Sequence, residues 1–132
     1  MIFVDTSFWV AGRLERDAHH AEAIALAEQF AADRLVTSNH VRGETWTFLR
    51  RKDGHAGAVA FLDMLSRTAR VDVLPVTDEL EGEALRWLRR HDEREYSFVD
   101  ATSFALMRSL RIKQALAFDG DFAAAGFTEL RP

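Results

Sequence analysis

The chain predicts an α/β fold in three layers, a central and mostly parallel sheet with helices on both faces. Two observations carry this. Short β-type runs alternate with longer runs whose apolar residues recur at three and four positions, and strands that alternate with helices pair in parallel through crossover connections. In addition, two of the β-type runs, "IFV" and "ALAF", lead directly into an aspartate, as strands do when they end at a ligand-binding edge. At 132 residues the chain is read as one domain, residues 1–132.

The first strand is "IFV" at 2–4, and the second is "LVT" at 35–37. "VDVLPV" at 71–76 and "ALAF" at 115–118 follow, and "FTEL" at 127–130 reads as a final edge strand. The helical stretches between them are "HHAEAIALAEQFAADR" (19–34), "HVRGETWTFLRRK" (40–52), "AGAVAFLDMLSRTAR" (56–70), "ELEGEALRWLRRHDE" (79–93) and "SFVDATSFALMRSLR" (97–111). No repeat, low-complexity tract or linker-like segment interrupts this order.

A composition of 48% hydrophobic and 29% charged residues belongs to an ordinary globular protein. No cysteine is present, which removes disulfides, zinc thiolates and a thiol nucleophile from consideration and fits a reducing cytoplasm. The N-terminus lacks a basic leader, and no apolar run approaches the roughly 18 residues of a membrane span, so a cytoplasmic location without membrane contact is expected. A net charge of −4 argues against coating nucleic acid by bulk charge, although a local basic patch can still hold phosphates.

Asp100 is an acid in an otherwise apolar and small-residue helix. Ser97 three residues earlier offers one explanation, a capping pair in the first helical turn. Asp5 and Asp119 follow strands directly and project toward one crevice; each also suits a helix cap or turn, Asp5 together with Ser7. Glu44 lies on or beside the apolar stripe of Val41, Thr45, Phe48 and Leu49, where an ion pair with Arg42, Arg50 or Arg51 is the alternative. Asp5, Asp100 and Asp119 have no Lys or Arg nearby in sequence to pair with, and four converging carboxylates would repel one another. All-oxygen ligands without cysteine select a hard divalent ion such as Mg²⁺ or Mn²⁺.

The segments "IFVDTS", the mid-helix Glu44, "SFVDATSFALM" and "AFDGDFAAAGF", in this order and at these separations, resemble the PIN domain, specifically the VapC-type ribonuclease toxins of bacterial toxin–antitoxin pairs. The resemblance spans essentially the whole chain. It implies a PIN-like α/β/α architecture and an acidic metal site of Asp5, Glu44, Asp100 and Asp119. Thr6, Ser7 and Ser103 are implied as supporting hydroxyls, and Asp121 as an outer or second-metal acid. Ala117 departs from the family, which frequently has Thr or Ser before the "FD". The resemblance further implies pairing as a homodimer, and inhibition by a VapB-type antitoxin in a hetero-oligomer, a segment of it lying in an apolar groove near the first helices.

The expected reaction is metal-dependent hydrolysis of an RNA phosphodiester by water, the cation activating water and steadying the leaving oxygen. Arg50, Arg51 and Lys52, in "LRRKDGH", form the densest basic cluster and are candidate RNA contacts, with the solvated helix face as the alternative. His19 and His20 read as surface residues at a helix start. Two rival classes are a small-molecule phosphatase of the HAD type and a non-catalytic regulatory α/β module. The first needs an acid two residues after the nucleophile, where Ser7 stands, and the second a lysine after a late strand, which "ALAFDGD" lacks.

Overall fold

The computed structural model describes residues Met1–Pro132 throughout. Five strands, β1 (Ile2–Val4), β2 (Leu35–Ser38), β3 (Val71–Leu74), β4 (Gln114–Leu116) and β5 (Thr128–Glu129), form one sheet in the order β3-β2-β1-β4-β5. Every neighbouring pair is parallel, with Phe3 opposite both Val36 and Ala115. The residues of β1 and β2 are buried without alternation, as expected of strands covered on both faces.

Seven helices flank the sheet: α1 (Thr6–Arg13), α2 (His20–Gln29), α3 (Asn39–Lys52), α4 (Gly54–Arg67), α5 (Asp78–Arg90), α6 (Phe98–Ser109) and α7 (Asp121–Ala124). They pack in two groups, α1 through α4 and α5 through α7, which meet where α3 touches α6. Aromatic rings fill the core. Phe3 of β1 stacks on Phe122 at 5.9 Å, Phe122 meets Phe104 of α6 edge-on at 4.9 Å, and Trp87 of α5 meets Phe104 at 5.2 Å. In the other group the Trp9 ring of α1 lies edge-on to Phe61 of α4 at 5.9 Å.

The structure departs from the sequence reading at element ends and in two short helices. Residues 6–13, not anticipated as a helix, form α1, because Asp5 caps them by accepting from the Ser7 amide at 3.1 Å. The second helix ends at Gln29 rather than running to 34, and the third strand stops at Leu74, before Pro75, whose missing N–H cannot continue a ladder. The fourth strand ends at Leu116, and the Phe118 amide donates to the Ser7 hydroxyl instead of a neighbouring strand. The four-residue α7 follows Gly120, whose φ of 83° is the left-handed conformation that glycine adopts without steric cost.

Connection along the chain moves outward from β1 through β2 to β3, then crosses back to place β4 on the other side of β1. The strand order therefore reverses between β1 and β4, and the crevice beyond their carboxyl ends is where a ligand site is expected. None of the helices is long and apolar enough to cross a membrane.

Candidate functional site

At that reversal point the two strand ends are tied together. The Asp5 amide, just past β1, donates to the Leu116 carbonyl of β4 at 3.0 Å. The Ser7 hydroxyl donates to Asp5 Oδ2 at 2.7 Å and accepts from the Phe118 amide at 3.0 Å, so one side chain fixes the exit of both strands. Ser7 thus stands as a clamp where a phosphatase of the rival class would need a second acid.

A cavity of about 510 Å³ opens above this junction, lined by Asp5, Glu44, Asp100, Asp119 and Asp121 among others. Carboxylate oxygens of Asp100, Asp119 and Asp121 lie within 4.8 Å of one another, close enough to share one cation. Asp5 is buried beneath them at 2% exposure, and Glu44 reaches the cavity from the exposed side of α3.

Capping and clustering, posed as alternatives from the sequence, coexist. The Ser97 amide donates to Asp100 Oδ2 at 3.0 Å while the Asp100 amide donates to the Ser97 hydroxyl at 2.9 Å, a complete capping box. Asp119 Oδ1 accepts from the Asp121 amide at 3.1 Å, and Asp121 Oδ1 accepts from Arg94 Nε at 2.9 Å. Each of the four aspartates thus spends one oxygen on a protein donor, which fixes the carboxylate's orientation and leaves the other oxygen free of protein donors.

Electrostatics follow from this crowding. Burial, with repulsion from Asp119 and Asp100, pushes the Asp5 carboxyl up to about 7 against the lowering effect of Ser7. Burial likewise raises Asp100 to about 7, helped by Asp119 and Asp121 and opposed by the Ser97 hydrogen bonds. Asp119 is raised by desolvation and by the charges of Asp121 and Glu129. Carboxyls held up in this way ionise at lower pH once a cation lies between them. An all-oxygen donor set of three carboxylates at short mutual distance fits a hard divalent ion.

The remaining expected residues divide. Thr6 lines the cavity, and its buried Oγ1 has no hydrogen-bond partner. Ser103 does not line it; its hydroxyl donates to the Val99 carbonyl at 2.8 Å inside α6. Lys52 lines an adjoining cleft with Arg13 and Arg16, and that cleft shares Asp17 and Phe48 with the acidic cavity; Arg50 and Arg51 are exposed and line neither.

Sequence reasoning missed Asp17, His19 and Glu95, which also line the cavity. His19 stands at the start of α2 with its side chain partly exposed, as expected, and its ring also stacks on Phe118 at 4.6 Å and 2° between planes, while its amide donates to Asp17 Oδ1 at 2.8 Å. The Asp-x-His spacing at 17 and 19, an Asx turn before a helix, was the available signal. Nothing in the loop carrying Glu95 marked it.

The PIN domain family model matches residues 2–128. Over its whole length the chain is 57% identical to a protein of Mycobacterium tuberculosis named 23S rRNA-specific endonuclease VapC20, of which it covers 99%. It is 27% identical over 91% of its length to the VapC ribonuclease of Archaeoglobus fulgidus, covering 78% of that protein. The crystal structure of the mycobacterial VapC20, titled a sarcin–ricin loop cleaving toxin, superposes with a TM-score of 0.93 at 54% identity, with each chain wholly covered. The chain belongs to the PIN-domain family, among its VapC-type ribonuclease toxins.

Proposed function

We propose that this protein cuts RNA internally in a reaction that depends on Mg²⁺ or Mn²⁺, acting as one cytoplasmic domain at the acidic cavity beyond β1 and β4. The observation that carries the reading is the set of aspartate carboxylates at the strand-order reversal, with three converging within 4.8 Å and each holding an oxygen free of protein donors. Asp100, Asp119 and Asp121 would hold the ion, with Asp5 beneath them and Glu44 across the cavity completing the acidic wall. When bound, the ion supplies charge neutralisation for the phosphodiester and a lowered pKa for water.

The chain's own residues do the rest. Ser7 and Ser97 hold Asp5 and Asp100 in fixed orientations, which lowers the reorganisation needed when substrate arrives. Glu44 lines the cavity, exposed and without a hydrogen bond to protein, which supports a role in orienting the attacking water and taking its proton. Arg94 holds Asp121 in place and keeps one positive charge at the cavity rim. Lys52, with Arg13 and Arg16 in the adjoining cleft, would contact flanking phosphates; Arg50 and Arg51 would act only at longer range. Ribosomal RNA of the kind named for the mycobacterial relative is the substrate class to test first.

As partners we propose a second copy of the chain and a VapB-type antitoxin. An apolar groove of about 230 Å³ between α1 and α2, lined by Phe8, Trp9, Ile24, Phe30 and Met64, suits an antitoxin segment.

Cleavage of ribosomal RNA by purified protein should appear with Mg²⁺ or Mn²⁺ and vanish in excess chelator. The cation should raise the melting temperature by mass action, and Asp119→Asn should blunt both effects. Undiminished cleavage in chelator, with a melting temperature that ignores the cation, would overturn the metal-dependent mechanism.

A further inference from the structure

A second charged cavity lies away from the acidic one, on the face formed by α5 and α6. It has a volume of about 370 Å³ and is lined by Arg86, Arg90, Arg108, Trp87, His91 and Glu83. Three guanidinium groups face a single carboxylate there, in a protein whose net charge is −4.

None of these arginines is spent within the protein. The arginines in ion pairs are Arg34, Arg94 and Arg131, while Arg86, Arg90 and Arg108 donate to no carboxylate or carbonyl. Arg86 and Arg90 stand four residues apart on α5, a like-charge spacing that costs a few tenths of a kcal/mol in an isolated helix. Arg108 comes from the other helix and is held in place: its guanidinium carbon lies 5.6 Å over the Trp87 ring and 5.7 Å over the Phe127 ring. The His91 ring stacks on Trp87 as well, at 4.1 Å. Desolvation and the Arg90 charge lower the pKa of Arg108 and Glu83 raises it, so the group sits where an anion would relieve it.

A guanidinium pre-set between rings, flanked by two free ones, is a fork for phosphate oxygens. Trp87 is 8% exposed, with His91 stacked on it and Arg108 over its ring, so the pocket offers charge and not a stacking surface for a base. Its position relative to the acidic cavity is set by α6. Asp100 and Arg108 are eight residues apart on that helix, about 12 Å along its axis. A strand of RNA bridges a separation of that order with a few nucleotides.

We propose that Arg86, Arg90 and Arg108 form a second phosphate-binding site for the RNA substrate, holding its backbone a few nucleotides from the phosphodiester that is cut. This rests on the ribonuclease reading above and adds to it a residue-level account of how a net acidic protein grips a polyanion. The site binds backbone and not sequence, so it contributes affinity and register to any RNA long enough to reach it.

The test is binding of a fluorescently labelled single-stranded RNA of mixed sequence to the Asp100→Asn protein, in which cleavage does not intervene. Arg90→Gln and Arg108→Gln should each weaken binding about tenfold and reduce the slope of log affinity against log salt by about one. Arg108→Lys, which keeps charge but loses the fork, should recover only part of the affinity. Arg67→Gln, the same loss of charge on α4, should leave affinity unchanged. Trimming the RNA from one end until it no longer reaches the pocket should erase the difference between Arg90→Gln and its parent. Unchanged affinity and salt slope in both glutamine variants would overturn the proposal, as would an equal loss in Arg67→Gln. So would variants that bind RNA normally and fail only to hold an acidic protein partner. Because the readout is binding, a wild type that binds through these arginines yet cleaves no RNA would overturn the hydrolytic reading while leaving this site standing.

Discussion

Asp100 shows how one carboxylate serves two ends. Its Oδ2 closes the capping box with Ser97, and its carboxylate lies in the cluster with Asp119 and Asp121. The two roles separate by substitution. Ser97→Ala removes the cap, at about 1 kcal/mol of stability, and keeps the acid in the cavity. Asp100→Asn keeps an oxygen able to accept from the Ser97 amide and removes the charge from the cluster. Cleavage should then fall by more than the 10–100-fold typical of losing an outer partner of a metal ligand, with no loss of stability. Urea midpoints and initial cleavage rates of the two variants check this. An Asp100→Asn protein that cuts RNA like wild type would leave the capping box as the residue's entire role.

Among elements, α1 is short, and its placement depends on a single hydroxyl. Ser7 bridges Asp5 to the Phe118 amide and so joins the end of β1 to the turn that carries Asp119 and Asp121. Ser7→Ala leaves the Phe118 amide without its partner and removes the hydroxyl bond to Asp5 Oδ2, while the backbone amide at that position still donates to that oxygen. It should cost about 1–3 kcal/mol in urea unfolding and weaken cation binding measured by calorimetry, because the two halves of the acidic set lose their common anchor. A variant with wild-type midpoint and cation affinity would show that the strand pairing alone positions the acids. The strands, the parallel sheet and the acids following β1 and β4 were legible in the sequence because apolar runs ending in an acid mark a strand's carboxyl edge. Residues 6–13 were not legible as a helix: "TSFWVAGR" is rich in β-branched and aromatic residues, and the Asp5 cap that starts it is a tertiary outcome as much as a local one. His19 and Asp17 escaped for a similar reason. They reach the cavity through the turn between α1 and α2 and ring stacking on Phe118, which no periodicity reports.

For the molecule as a whole, the acidic cavity is a cost that a bound cation would offset. In the cation-free protein Asp5 and Asp100 titrate near 7, against 3.8 for an unperturbed aspartate. Between these values the folded protein binds more protons than the unfolded chain, so stability is greatest below about pH 4 as far as these groups are concerned. It falls as pH rises toward 7 and levels off above. Unfolding midpoints in chelator should therefore be lower at pH 8 than at pH 5, and millimolar Mg²⁺ should raise the pH 8 value more than the pH 5 value. A midpoint that climbs from pH 5 to pH 8 in chelator and ignores the cation would contradict the placement of these acids. The strand order adds a consequence in time. β1, at the N-terminus, is central and takes its second neighbour only from residues 114–116, and two of the three converging acids lie beyond it. A chain still emerging from the ribosome carries Asp5 and Glu44 early but cannot complete the cluster until residues 114–121 have been made and set beside β1. Copies that end before them lack two of the three converging acids.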